Sequence, residues 1–194
     1  MCKKLDLTLY LGGTRSGKSQ RAEAQAQRWK GPVLYVATAA AQADDAVMLE
    51  RIRRHQLRRP AAWHTLECPQ HLAAKVEQLM ECPPHEDLQA DNLLVLIDCA
   101  TLWVANILLQ LPEPEDLAAA EQAVCDELNA LFSLMERTRC RWIVVSGEVG
   151  LGGIAAERLS RVYDDVLGLA NQLLAARARA ACFVVAGRVL PLLE

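Results

Sequence analysis

The feature of this sequence that most restricts its fold is a glycine-rich segment near the N-terminus. Residues 12–19 read GGTRSGKS and match the pattern G-x-x-x-x-G-K-[ST]. The segment follows a run of strand-forming residues, 5–11, and precedes a helical pattern that begins at Lys18. A strand, a glycine-rich loop and a helix in this order place backbone N–H groups and a helix N-terminus around a phosphate. The sequence therefore predicts a phosphate-binding P-loop, and the alternative is a glycine-rich turn that holds no ligand.

Each part of this loop has an expected task in binding a nucleotide. The loop consists of Gly12, Gly13, Thr14, Arg15, Ser16, Gly17, Lys18 and Ser19. Glycines let the backbone approach the phosphates, Lys18 reaches the outer phosphates, and the Ser19 hydroxyl binds Mg²⁺. We therefore expect all eight residues to bind nucleotide, Lys18 to act in catalysis and Ser19 to hold the metal.

An acidic residue ends the most apolar of the predicted strands. Residues 93–97 read LLVLI and are followed directly by Asp98. This is the shape of a Walker B strand, whose carboxylate holds Mg²⁺ or one of its water ligands. An Asp after a buried strand is also common as a turn residue. Beside a P-loop, the pattern favours a metal ligand at Asp98.

The order of predicted elements indicates the fold class. Short strand-forming runs alternate with longer helical patterns, which is typical of an α/β protein whose parallel sheet is covered by helices. With 194 residues, we expect a single P-loop NTPase-like domain over residues 1–194, with a mostly parallel central sheet flanked by helices. The predicted strands are 5–11, 32–38, 93–97, 142–146 and 182–186. The predicted helices are 18–30, 45–59, 69–81, 115–137 and 157–179.

Composition excludes several classes of protein. The formal net charge of −3 argues against a nucleic-acid-binding protein, which needs a basic surplus. The seven cysteines include no C-x-x-C pair, as expected for reduced thiols in the cytoplasm. The longest apolar segment, 93–109, contains Asp98 and is too short for a membrane helix. We therefore expect a cytoplasmic enzyme with no membrane span.

A basic segment follows the second predicted strand. Residues 51–59 contain five arginines and His55 within one predicted helix and its end. A neutral imidazole can attack phosphorus and form a covalent nucleotidyl intermediate, which neighbouring arginines would stabilise. The alternative is a solvated helix face with surface ion pairs. The other histidines, His64, His71 and His85, are read as ordinary side chains.

Several motifs in order give a resemblance to a known family. Besides the P-loop they are 34–39 (LYVATA), Arg51-Ile52-x-x-His55 continuing through Arg59-Pro60, Trp63, Thr65, Glu67 and Pro69, then 98–106 (DCATLWVAN), 148–150 (EVG) and Gly168-x-x-Asn171-Gln172. Together they resemble, over nearly the whole chain, the bifunctional adenosylcobinamide kinase / adenosylcobinamide-phosphate guanylyltransferase family.

This resemblance implies an activity and a set of site residues. The enzyme would phosphorylate adenosylcobinamide with ATP or GTP and then transfer GMP from GTP through the histidine that matches His55, with Mg²⁺, as a homotrimer in cobalamin biosynthesis. Glu67 and Asp98 would lie in the guanine nucleotide site, with Thr38 near it. The predicted nucleotide-binding set is completed by Ala37, Ala39, Gln56, Arg58 and Arg59.

The last third of the chain departs from the family pattern. Gly147 stands where the family has Asn, residues 152–156 read GGIAA where a single glycine and a proline are usual, and residues 163–165 read YDD where an aromatic-Arg-Asp triplet is usual. Two alternatives therefore stay open. One is a P-loop kinase of a small alcohol in which His55 takes no part, and the other is a degenerate paralogue that binds GTP without turnover.

Overall fold

The protein forms one mixed sheet with helices on both faces. The computed structural model describes residues 4–39, 50, 53, 56–89 and 92–192. The strands are β1 (Leu5–Gly12), β2 (Val33–Ala37), β3 (His64–Glu67), β4 (Leu94–Asp98), β5 (Arg141–Gly147), β6 (Ala178–Val185) and β7 (Arg188–Leu192). The helices are α1 (Lys18–Ala26), α2 (Leu72–Glu81), α3 (Ala100–Leu108), α4 (Leu117–Arg137) and α5 (Arg158–Arg177).

The sheet is parallel except at one edge. Its strand order is β3-β2-β4-β5-β1-β6-β7, and β7 alone among these strands runs antiparallel to its neighbour. Strands covered by helices on both faces are continuous apolar runs, as β2 and β4 are here. The predicted α/β class with a mostly parallel sheet is confirmed.

Alternate residues of the strands lie on opposite faces of the sheet and belong to two apolar cores. On one face, Leu34 and Val36 pack with residues of α2, α3, α4 and α5. On the other face, Tyr35 and Ala37 pack against Ala22 of α1. This alternation follows from the two-residue period of a strand. The helix that follows the P-loop lies over β1, β5 and β4 on this second face.

The carboxyl ends of the parallel strands meet at one edge of the sheet. Gly12 at the end of β1 pairs with Gly147 at the end of β5, and Ala37 of β2 pairs with both Glu67 of β3 and Asp98 of β4. In open parallel sheets ligands bind at this edge. The loop after β1 and the acidic ends of β3 and β4 are therefore brought together by the register of the sheet.

Two strands and one helix were not predicted from the sequence, and several boundaries were wrong. The first helix was predicted to run to Lys30 but ends at Ala26, and the second described helix begins at Leu72 rather than at residue 69. β3, α3 and β7 were missed, and the last predicted helix was carried to Arg179, whereas α5 ends at Arg177 and β6 begins at Ala178. Residues 178–181 read ARAA, which favours helix by propensity. Pairing of Ala178 with Leu5 of β1 overrides that preference.

The predicted helix 45–59 falls mostly outside the described residues. Within it, residues 56–58 are helical. Among the described helices, none is long and apolar enough to cross a membrane.

Candidate functional site

The loop after β1 has the backbone shape that its glycines were predicted to allow. Gly17 has φ 96° and immediately precedes α1, a backbone conformation that glycine adopts without strain. Gly12 packs closely against β6. A Cβ at this position would lie only 2.4 Å from the Val184 carbonyl oxygen. The tip of the β6–β7 hairpin supports the same loop, since the Gly187 N–H donates to the Ser16 carbonyl oxygen at 2.8 Å.

This packing gives a prediction that separates two neighbouring glycines. Gly12→Ala is expected to lower the free energy of unfolding by about 2 kcal/mol, because the new methyl group meets backbone rather than a side chain that can turn away. Gly13→Ala is the matched control, since a Cβ there meets no described atom within 4 Å. Urea unfolding of both variants measures the difference. Equal stability of the two variants would contradict the close approach of β1 and β6.

Lys18, Ser19 and Asp98 converge beside the loop. The Ser19 hydroxyl donates to Oδ1 of Asp98 at 3.2 Å, although the two residues lie 79 positions apart. The Lys18 ammonium donates to the Gly13 carbonyl oxygen at 3.1 Å, across the mouth of the loop. Both metal ligands predicted from the sequence are therefore adjacent, and the predicted lysine lies at the loop itself.

This pair of side chains fits a magnesium ion. A hydroxyl and a carboxylate are the hard oxygen ligands that Mg²⁺ prefers, and Mg²⁺ usually takes its remaining ligands from phosphates and water. Within the described ranges, no group of three or more His, Cys, Asp or Glu side chains could hold a metal. Two protein ligands plus nucleotide and water is the arrangement typical of P-loop enzymes.

The second oxygen of Asp98 is held by a tyrosine that the sequence analysis gave no role. The Tyr35 hydroxyl donates to Oδ2 of Asp98 at 2.8 Å, and the tyrosine is 1% exposed. Burial, together with the negative charge of Asp98, raises the pKa of Tyr35 far above its usual value. The phenol therefore stays protonated and continues to donate to the carboxylate.

The described arginines of the basic segment lie in different surroundings. The Arg59 guanidinium lies 3.8 Å from the centre of the Tyr35 ring, and Arg58 forms an ion pair with Glu23 of α1 at 3.3 Å. Burial raises the pKa of Glu23, and the charge of Arg58 opposes that shift.

Arg53 instead pairs with Glu50 at 2.9 Å on the surface, which is the ordinary ion pair that the sequence analysis held as an alternative. His55, the predicted nucleophile, lies outside the described residues. Among the described arginines of the segment, Arg59 therefore lies on Tyr35, Arg58 contacts α1 and Arg53 lies on the surface.

Thr38 forms hydrogen bonds that hold the backbone around the site. Its hydroxyl donates to the Cys99 carbonyl oxygen and accepts from the Cys99 N–H, each at 2.7 Å, and the residue is fully buried. Its own carbonyl oxygen accepts from the Asn106 amide at 2.8 Å. Thr38 thereby joins the chain after β2 to the start of α3.

These elements enclose a cavity of about 200 Å³ at the carboxyl edge of the sheet. Of the residues predicted from the sequence, it is lined by Thr14, Lys18, Ser19, Ala37, Ala39, Gln56, Arg59, Glu67 and Asp98. The described residues that were predicted but do not line it are Gly12, Gly13, Arg15, Ser16, Gly17, Thr38 and Arg58. Lining residues for which no role was predicted are Tyr35, Cys99, Thr101, Leu102, Gly147, Glu148 and Val149. Most of these missed residues follow β4 or β5, so the strand-end rule could have found them.

A larger depression of about 860 Å³ lies between the N-terminal ends of α4 and α5. Its lining mixes carboxylates such as Glu115 and Asp165 with Arg158 and Arg161. None of the predicted nucleotide-binding residues contributes to it. The smaller cavity is the candidate site, because the loop, the acidic strand end and the basic segment meet there.

Gly147, one of the departures from the family pattern, lies where there is little room for a side chain. A Cβ at Gly147 would lie 2.9 Å from the Thr101 hydroxyl oxygen, and the Gly147 N–H donates to that oxygen at 2.5 Å. The Tyr163 hydroxyl donates to the Thr101 carbonyl oxygen at 3.2 Å, and the Asn171 amide donates to the Gly147 carbonyl oxygen at 2.9 Å. Gly147 and Tyr163 therefore both position Thr101, which lines the cavity.

The described histidines have structural partners. His64 Nε2 lies 2.9 Å from Asp87, and His71 Nδ1 lies 3.2 Å from Glu127. The His85 ring packs on that of His64, with 4.7 Å between their centres. These contacts agree with the ordinary roles given to the three residues.

The fold and the loop define an α/β nucleotide-binding protein of the P-loop class. Comparison with known proteins makes the assignment specific, because residues 8–192 match the model of the family described as cobinamide kinase / cobinamide phosphate guanyltransferase. The chain belongs to this family, which is a family of bifunctional transferases. The family and the enzyme class predicted from the sequence are confirmed.

Similar proteins from three bacteria support this assignment. The chain is 38% identical over 186 residues to the bifunctional adenosylcobalamin biosynthesis protein CobU of Salmonella typhimurium, covering 93% of this chain and 96% of the relative. It is 40% identical over 184 residues to the bifunctional adenosylcobalamin biosynthesis protein CobP of Pseudomonas aeruginosa, covering 95% of each. A protein named as CobU from Escherichia coli is 37% identical over 186 residues, again with 93% and 96% covered.

Proposed function

We propose that this protein phosphorylates adenosylcobinamide with ATP or GTP and then transfers GMP from GTP to the resulting phosphate, in cobalamin biosynthesis. Membership of the family supports both activities. The structural observation that carries the proposal is the meeting of Lys18, Ser19 and Asp98 in one cavity. Arg59 and Glu67 line the same cavity, so phosphate-binding and nucleoside-binding groups share one site.

In the kinase step, the alcohol oxygen of the corrinoid attacks the γ-phosphorus and its proton passes to water. The bond from that phosphorus to the bridging oxygen breaks to release the nucleoside diphosphate. The loop N–H groups and Lys18 neutralise charge on the β- and γ-phosphates. Mg²⁺ held by Ser19 and Asp98 would supply further charge neutralisation at the phosphate oxygens. Arg59 stabilises the negative charge that builds up on the transferred group.

In the second step, we assign the nucleophile to His55. Its neutral imidazole attacks the α-phosphorus of GTP and displaces pyrophosphate. An oxygen of the corrinoid phosphate then attacks the same phosphorus, and the imidazole leaves. Covalent transfer of this kind replaces one difficult displacement between two anions with two easier ones.

We further propose that residues 1–194 form one catalytic domain, that the enzyme works in the cytoplasm, and that it assembles as a homotrimer. The family match over residues 8–192 supports the single domain, since it reaches all seven strands of the described residues. Size-exclusion chromatography with light scattering tests the trimer directly.

Product analysis tests the proposed activity. Pure protein with Mg²⁺, GTP and adenosylcobinamide is expected to form adenosylcobinamide phosphate first and the GDP derivative second, with release of pyrophosphate. Phosphate transfer without the GDP derivative would favour the kinase-only alternative. GTP binding without either product would favour the degenerate paralogue.

A further inference from the structure

We propose that Tyr35 is a positioning residue that joins the two charged parts of the site. Its hydroxyl orients the carboxylate of Asp98, and the face of its ring contacts the guanidinium of Arg59. The inference rests on the proposed function, because it concerns how the metal and the phosphates are held in that same cavity. Tyr35 lies on β2 and forms no covalent bond in either reaction.

The hydroxyls of Tyr35 and Ser19 each donate a hydrogen bond to a different oxygen of Asp98. Tyr35 donates to Oδ2 at 2.8 Å and Ser19 donates to Oδ1 at 3.2 Å. When Mg²⁺ binds to Ser19 and Asp98, the bond from Tyr35 continues to set the rotation of the carboxylate. Hydrogen bonds of this kind to a metal-binding carboxylate orient the ligand, and removing one typically weakens metal binding about 10- to 100-fold.

The ring of Tyr35 acts on a different group. The Arg59 guanidinium carbon lies 3.8 Å from the ring centre, and Arg59 Nε is buried with no hydrogen-bond partner among the described residues. On the same ring, Trp63 stacks with 6.3 Å between centres. An arginine held by a ring face keeps its planar set of donors in one orientation. Because Arg59 also lines the cavity, Tyr35 sets its position relative to Asp98.

The hydroxyl and the ring can be tested separately. Tyr35→Phe removes the hydrogen bond to Asp98 and keeps the ring. Tyr10→Phe is a matched control, because the Tyr10 hydroxyl donates to Gln25 at 2.8 Å and its side chain packs in the same apolar core, away from the metal ligands. Mn²⁺ binding to the complex with a non-hydrolysable GTP analogue is measured by electron paramagnetic resonance.

For Tyr35→Phe, the Mn²⁺ dissociation constant is expected to rise about 10-fold. Its affinity for the nucleotide in the presence of EDTA is expected to be unchanged, since the ring still holds Arg59. Tyr10→Phe is expected to match the wild-type protein in both measurements. A Mn²⁺ affinity of Tyr35→Phe within a factor of about two of the wild-type value would overturn the role of the hydroxyl.

Tyr35→Leu tests the ring. It is expected to reduce the metal-free affinity for the nucleotide about 5-fold below that of Tyr35→Phe, because Arg59 loses its support. Arg59→Ala is expected to lower the same affinity at least as much, and it provides the test if Tyr35→Leu does not fold. Metal-free affinities of Arg59→Ala and Tyr35→Leu equal to that of Tyr35→Phe would overturn the role of the ring.

These binding measurements require no turnover. A wild-type protein that binds Mn²⁺ and nucleotide but transfers neither phosphate nor GMP would refute the proposed function and leave the role of Tyr35 to be decided by the variants. A wild-type protein that performs both transfers, with Tyr35→Phe unchanged in Mn²⁺ affinity, would refute the role of the hydroxyl alone.

Discussion

Lys18→Ala is expected to lower kcat/KM for both the kinase and the guanylyltransferase reactions by about 100- to 1,000-fold. Lys18 begins α1 and lines the cavity with Ser19 and Asp98. Its ammonium group donates to the Gly13 carbonyl oxygen, so it already lies where the outer phosphates would enter the loop. Removing a charged donor that stabilises charge developing in the transition state costs far more in rate than in stability.

The control for this prediction is a second lysine remote from the cavity. Lys75 lies on α2 and is exposed, and Lys75→Ala is expected to leave both rates unchanged. The measurement is initial rate against nucleotide concentration for wild type and both variants, with the melting temperature as a check of folding. A Lys18→Ala enzyme within a factor of about ten of wild type would refute the assignment of a phosphate-binding lysine.

The parts of the site that sequence reasoning identified are the ones whose chemistry is local. Residues 12–19 carry the loop, its lysine and its serine within one short segment, so pattern and position suffice. Asp98 was found because it ends a continuous apolar strand. Its contact with Ser19 confirms that the two predicted metal ligands are neighbours.

The parts that were missed depend on pairs of residues far apart in the chain. The bonds from Tyr35 to Asp98 and between Thr38 and Cys99 span 63 and 61 positions, and no local pattern encodes them. One signal was available for Tyr35, because it supplies the polar side-chain group in a strand that otherwise reads VLVA. A buried tyrosine hydroxyl usually has a hydrogen-bond partner.

Prediction of secondary structure from the sequence failed where tertiary contacts outweigh the local preference of the residues. The segment 178–181 is alanine-rich yet pairs with β1. β7 contains Pro191, which is tolerated because this strand lies at the edge of the sheet. α3 follows β4 after one residue, so strand and helix form a single apolar run whose period does not show the change.

His55→Ala is the second prediction with a large effect, and it separates the two activities. GMP transfer is expected to fall to background, because the covalent intermediate cannot form. Phosphate transfer is expected to continue at a rate within a few-fold of wild type, since Lys18, Ser19 and Asp98 remain. Gln56, the next residue in the chain, lines the cavity, which supports this prediction.

The most direct test of covalent GMP transfer is incubation with Mg²⁺ and GTP labelled at the α-phosphate, followed by denaturation and measurement of label bound to protein. We expect acid-labile, base-stable label on the wild-type protein and on the control His71→Ala, whose histidine contacts Glu127 on the surface. We expect no label on His55→Ala. Equal labelling of His55→Ala, or an unlabelled wild-type protein that binds GTP, would contradict the proposed mechanism.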